Sequence, residues 1–219
     1  MAEKARLRRK DLKQPDEFIT LTGQALAWGR QHQQLVIWGG AGVLALLVAV
    51  GIGTAYRGAR ERDANADLAR ALAKVGSDDA GASSDLIALS GRWEGTGVAP
   101  LAALLGADAA IRSGDADRAI TELTRLHDQA AKLPPYVQQQ ILLSWASALE
   151  AKQQWLDAAA KYKDAAGLSG PYTGDAIVGE ARTRELGGET DRARELYRQA
   201  YDQFPDLPDR ELIAAKIQL

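Results

Sequence analysis

The sequence predicts an all-α protein: a single N-terminal transmembrane helix, then an α-solenoid of about three helical hairpins, then a C-terminal capping helix. Three observations predict it. Residues 35–55 are almost wholly apolar. Alanine fills roughly one position in five, Phe, Val and Ile are sparse, and no alternating run occurs, a balance that favours helices over strands. The landmarks Ala158, Tyr162, Ala165 and Gly170 return 35 residues later as Ala193, Tyr197, Ala200 and Pro205, with the same spacing of four, three and five.

The bulk composition narrows the classes. A chain of 219 residues has room for one or two small domains, and 26% charged with 46% hydrophobic residues is ordinary for a folded protein. With no cysteine, disulfides and thiolate metal sites are excluded, although the compartment is not fixed by that. Before Arg57 there are seven Lys/Arg and four acids; from Arg57 onward there are 20 basic and 25 acidic residues. A basic tail therefore precedes a mildly acidic body, and a nucleic-acid-binding body is not expected.

Residues 1–34 read as a basic cytoplasmic tail, with Lys4, Arg6, Arg8, Arg9, Lys10 and Lys13 near its start. Within it Phe18, Leu21, Ala25 and Trp28 recur at helical spacing after Pro15 and Asp16, which suit a helix start. That pattern fits a helix lying along the membrane surface or a solvated linker helix.

Residues 35–56 read as the transmembrane helix. No charge occurs between Arg30 and Arg57, and 21 helical residues span about 31 Å, close to the bilayer core. Trp38 and Tyr56 sit near the two ends, where amphipathic rings favour the headgroups. A buried core helix seldom stays uncharged for so long. A cleaved signal peptide has a shorter apolar region and a shorter lead. The arginines of LRRKDLK, 7–13, stand too far from the apolar run for a twin-arginine signal. An uncleaved signal anchor is the reading, with the tail inside and the body outside, although Arg57, Arg60 and Arg62 crowd the far end. Ala41, Ala45, Ala49 and Gly53 place a small residue at every fourth position. This is a candidate membrane-helix contact, or simply the alanine and glycine found throughout the chain.

Residues 57–98 read as a juxtamembrane helix and linker. The helix carries Ala64, Leu68, Ala71, Leu72 and Val75 on one side. GSDDAGASS, 76–84, reads as a loop, and DLIALSGRW as a short helix capped by Asp85.

Residues 99–219 hold the repeats. The last unit is 174–206, with Ala181 at a small site and Gly187 and Gly188 at its turn; the middle unit is 139–171, with Leu142, Trp145, Ala146 and Trp155 in place. A third unit covers 100–134 through Ala107, Gly114, Ala119 and Leu123, but Ala103, Gly106 and Ala110 stand where bulky residues are expected. Glu180 and Arg184 also depart from the pattern. Residues 209–219, with Leu212, Ile213 and Ile217, read as the capping helix.

These units resemble the tetratricopeptide repeat, about 34 residues forming two antiparallel helices. The resemblance explains the spacing: small residues let helices touch, the aromatic fills the gap to the next unit, and proline stops the helix. The whole layout resembles the YfgM-like family, an ancillary subunit of the SecYEG translocon. That resemblance implies repeats facing the periplasm from the bacterial inner membrane, associated with the translocon and with membrane-anchored periplasmic chaperones.

No catalytic pattern is present. There is no H-E-x-x-H, G-x-S-x-G or G-x-x-x-x-G-K-[ST], His32 and His127 are isolated, and Asp78 and Asp79 lie in the expected loop. No enzyme activity, metal, cofactor or small-molecule substrate is expected. By register, the inner face of each unit's first helix is the candidate partner groove, or else a solvated surface. It comprises Leu101, Leu104, Asp108 and Arg112, then Gln140, Leu143, Ser147 and Glu150, then Asp175, Val178, Arg182 and Glu185. Protein partners at the membrane are expected, either transiently as for a docking scaffold or permanently as for a subunit of one large inner-membrane complex.

Overall fold

The computed structural model describes Leu26 and residues 28–218. The basic cluster from Lys4 to Lys13, the helix start at Pro15 and Asp16, and Phe18, Leu21 and Ala25 lie outside the described residues, as does Leu219. The chain divides into two compact units, Met1–Gly58 and Ala59–Leu219. Every regular element among the described residues is helical.

The first unit holds most of helix α1 (Gln33–Leu72). Here its apolar side chains are exposed, among them Leu35, Ile37, Trp38, Leu44, Leu47 and Ile52. Among the described residues it is the one helix long and apolar enough to cross a bilayer, by length and composition. Ala41, Ala45, Ala49 and Gly53 are likewise exposed. Trp28 stacks against His32 with ring centroids 5.0 Å apart.

The second unit begins with the end of α1, which buries Ala64, Leu68 and Ala71 at the expected spacing. Leu72 and Val75 do not join that side: the helix ends at Leu72, and both side chains are exposed. The loop expected over 76–84 is also shorter than its composition suggests. Helix α2 (Asp79–Arg92) starts six residues before the expected Asp85, because Asp78 caps it by accepting from the Gly81 N–H at 2.9 Å. Asp85 instead pairs with Lys74 at 2.5 Å.

Helices α3 (Val98–Arg112) and α4 (Ala116–Asp128) form the first hairpin, followed by a short 3-10 turn, Ala130–Lys132. Helices α5 (Pro135–Ala151) and α6 (Trp155–Ala166) form the second, and α7 (Thr173–Leu186) and α8 (Thr190–Gln203) the third. Helix α9 (Arg210–Gln218) closes the described chain. From α2 onward each helix packs on the next, and the first helices also stack, α3 on α5 and α5 on α7.

The hairpin turns repeat in detail. The N–H groups of Asp115, Gln154 and Glu189 bond the carbonyls five residues back, on Ala110, Leu149 and Arg184, at 2.8–2.9 Å. This Schellman pattern needs a left-handed residue just before the bonding N–H. Gly114 and Gly188 supply it at two turns, but Gln153 supplies it at the third with φ 58°. A side chain in that region costs about 1–2 kcal/mol. Gln153→Gly should therefore raise the urea midpoint, by about 0.5–1 kcal/mol in stability after the added chain entropy of glycine. A lower midpoint would mean that the Gln153 side chain makes an offsetting contact.

The core is built largely from alanine. On α3, Ala102, Ala103, Ala107, Ala109 and Ala110 are fully buried, facing α2 on one side and α4 and α5 on the other. At Gly106 the expected bulky residue is absent because α2 lies against it, while Ala103 and Ala110 are buried against α4 and α5. A Cβ on Gly106 would stand 2.9 Å from Ile87 Cγ1 and 3.1 Å from the Ile87 backbone nitrogen. Glu180 and Arg184 also have a structural role, since the buried Glu180 carboxylate accepts from Arg184 Nε at 2.7 Å.

Candidate functional site

The aromatic landmarks of the last two hairpins anchor one recurring cluster. Tyr162, on α6, sits between α5 and α7, and Gly179 of α7 leaves room for its ring: a Cβ there would be 2.5 Å from Tyr162 Cε1. The Tyr162 hydroxyl donates to Glu150 Oε1 at 2.5 Å, and Arg182 Nη2 donates to the same oxygen at 2.7 Å. One hairpin on, the Tyr197 hydroxyl donates to Glu185 Oε2 at 3.2 Å and Lys216 Nζ to Glu185 Oε1 at 2.6 Å. Each cluster therefore joins the end of one first helix to its own second helix and to the next first helix. Burial, and then the bond to Glu150, push the Tyr162 phenol up to about 12. Burial and Glu185 likewise raise Tyr197. Both phenols are therefore neutral donors at physiological pH.

The structure distributes the expected inner-face residues unevenly. In the first unit Leu101 is exposed, but Leu104 is buried in the core with Ala103 and Ala107. Asp108 is half-buried, and that burial raises its carboxyl above the usual range despite a hydrogen bond with Ser144. Arg112 turns to α2 and donates to both Asp79 oxygens at 3.2 Å, which lowers the Asp79 pKa. In the second unit Gln140 donates to the Tyr172 hydroxyl at 2.9 Å, Ser147 to the Leu143 carbonyl at 3.1 Å, and Leu143 is half-buried.

Only the third unit gathers all four of its residues in one place. Asp175, Val178, Arg182 and Glu185 line a groove of about 740 Å³ closed on its far side by α9. Helix α9 is held there by Ile213, buried against Tyr197 and Ala181, and by Arg210, which lies 3.8 Å over the Tyr201 ring. Sequence reasoning did not mark Asp209, just before α9, or Leu212 and Lys216 of α9 as site residues, yet they line the same groove. Their signal is a 34-residue offset from Asp175, Val178 and Arg182. His127 is exposed and meets Trp145 edge-on at 5.7 Å.

Stacked helical hairpins with a laterally open inner face define the second unit as a helical-repeat solenoid, a fold that typically serves as a non-enzymatic scaffold for other proteins. The tetratricopeptide repeat-like domain matches residues 27–219, and the chain belongs to that family. No curated protein matches the sequence. Among solved structures it is similar to a Podosopora anserina protein described as a kinesin light chain with nearly identical TPR-like repeats. That match has 15% identity and a TM-score of 0.54, and covers 73% of this chain and 82% of the other. A form of that protein carrying one substitution aligns with 14% identity, the same coverage and the same TM-score. At these identities the likeness is one of fold.

Proposed function

We propose that the chain is a membrane-anchored docking scaffold that assists secretion, periplasmic folding or assembly of an envelope complex. The observation that carries this reading is the juxtaposition of two features in one chain. An apolar helical run of bilayer length has no protein covering, and a repeat solenoid of a protein-binding family follows it. In this reading residues 1–34 are a cytoplasmic tail, 35–56 cross the bacterial inner membrane once, and 57–98 lead to a periplasmic repeat domain, 99–219. The mechanism is adhesion. The anchor confines the repeats to the membrane surface, which raises their concentration beside a membrane partner. The inner face, from Leu101 through Glu150 to Glu185, is the docking surface, and no chemistry is needed from it.

The resemblance to the YfgM-like family favours the translocon and periplasmic chaperones as partners. A second reading, permanent membership of one large inner-membrane complex, is favoured by the exposed stripe of Ala41, Ala45, Ala49 and Gly53. Mild-detergent purification of the intact protein, with mass spectrometry of what accompanies it, separates the two. Translocon subunits and chaperones at low stoichiometry support the first reading; one complex in fixed ratio supports the second. Ala45→Leu/Ala49→Leu should insert into the membrane normally and recover several-fold less of the membrane partner. Undiminished recovery would remove the stripe from the docking surface.

A further inference from the structure

Two consecutive first helices present the same order of side chains along the inner face. Helix α7 carries Asp175, Val178 and Arg182; Asp209, in the turn just before α9, and Leu212 and Lys216 of α9 follow, each 34 residues on. The cations are already engaged, Arg182 by Glu150 at 2.7 Å and Lys216 by Glu185 at 2.6 Å. The two leading carboxylates are not. Both Asp175 and Asp209 are exposed, and among the described residues neither side chain has a hydrogen bond or an ion pair. Beside them the groove is lined by an aliphatic strip of Val178, Leu207, Pro208 and Leu212, with Leu212 63% exposed.

The groove is therefore acidic along one edge, aliphatic along the middle and neutralised along the other edge. An acidic partner would find the cations occupied and would face two free carboxylates, whereas a cationic partner would meet the carboxylates directly. Spacing narrows the partner further. Helices α7 and α9 are linked through the cluster of Ile177, Ala181 and Ile213 and through the Lys216–Glu185 pair, so Val178 and Leu212 face one groove. In an extended chain of polyproline-II type, residues three apart share a face and stand about 9 Å apart.

We infer that this groove takes an extended partner segment with aliphatic residues three apart, each followed by Arg or Lys. The inference rests on the docking-scaffold reading and gives its third unit a ligand chemistry. The aliphatic side chains settle on Val178 and Leu212, and the cations pair with Asp175 and Asp209.

The test uses the full chain in detergent micelles and a fluorescent peptide containing Leu-Arg-Ser-Leu-Arg, followed by anisotropy. The arginine peptide should bind at least tenfold tighter than a version with glutamate in place of arginine. Asp175→Asn/Asp209→Asn should weaken it about tenfold; asparagine tolerates the left-handed φ of 58° at residue 209. Leu212→Ser, at an exposed site, should weaken it comparably. Asp157→Asn/Asp164→Asn, which removes the same charge from α6, should leave binding unchanged. The inference is overturned if neither peptide binds, if the glutamate peptide binds equally well or better, if the Asp175/Asp209 variant binds like the parent, or if the α6 variant loses as much. The scaffold reading is judged separately, by recovery of membrane proteins in the purification described above. Recovery without peptide binding would leave the scaffold standing and place docking elsewhere.

Discussion

A chain carrying Gly106→Val should melt roughly 6–12 °C below the parent, from a loss of about 3 kcal/mol. The site cannot yield easily. An added Cβ meets Ile87 Cγ1 at 2.9 Å, the Ile87 backbone nitrogen at 3.1 Å and Leu86 Cβ at 3.1 Å, so helix α2 itself would have to retreat. Retreat would open the seam that holds Leu86, Ala102 and Ala109. It would also strain the ties at its end, where Trp93 donates to Asp67 at 3.0 Å and the Gly97 N–H to Glu61 at 3.0 Å. Gly91→Val is the control. It lies on the facing helix α2 with nothing within 4 Å of its would-be Cβ, and should change the melt little. Equal melts for the two variants, read by circular dichroism, would refute the close approach of α2 to α3.

The second large effect is expected at Gln139. This side chain is fully buried and serves the α6–α7 connection from four directions. Its amide nitrogen donates to the carbonyls of Ala165 at 3.1 Å and Leu168 at 2.9 Å and to Thr173 Oγ1 at 3.2 Å, while its oxygen accepts from the Tyr172 N–H at 3.3 Å. Gln139→Leu keeps the volume and removes every one of these bonds. Buried polar groups left without partners cost about 1–3 kcal/mol each, less where water reaches them. A net loss of about 3 kcal/mol is expected in urea, with faster proteolysis at 167–172. Gln140→Leu, one residue away and holding a single bond to Tyr172, should cost under about 1 kcal/mol. If the two variants are equally stable, the buried amide does not hold the connection.

Much of the architecture was readable from spacing alone. Tyr162 and Tyr197, with their flanking alanines, located two hairpins, and the glycine pair at 187–188 located a turn. The second half of helix α2 was read as a short helix from Asp85, but its first turns were read as loop because they bury only Ala82 and Ser83, too small and polar to register as an apolar stripe. Gly106 of α3 was the trace α2 left, since it is small where Ile87 and Leu86 approach, whereas Ala103 and Ala110 pack against α4 and α5. The groove was readable only in part. Val178 and Glu185 followed from register. The partnership of Glu150 with Arg182 spans 32 residues, and no local period announces it. Leu104 carried the inner-face register but turned inward because alanine neighbours left space for it. The ionic cluster needs a tyrosine on the second helix, which hairpins two and three have. In the first hairpin the corresponding position is Leu123, which is fully buried in the core.

The alanine-lined seam between α2 and α3 also has a thermal consequence. A methyl group has no rotamers to lose on burial, so the seam closes at little entropic cost in its side chains. It also hides little apolar surface per residue, and the heat capacity released on unfolding scales with that surface. This end of the solenoid therefore has a flatter dependence of stability on temperature than a leucine-filled joint of the same length. Its strength comes from how closely two backbones can approach, which changes little between a cold cell and a warm one.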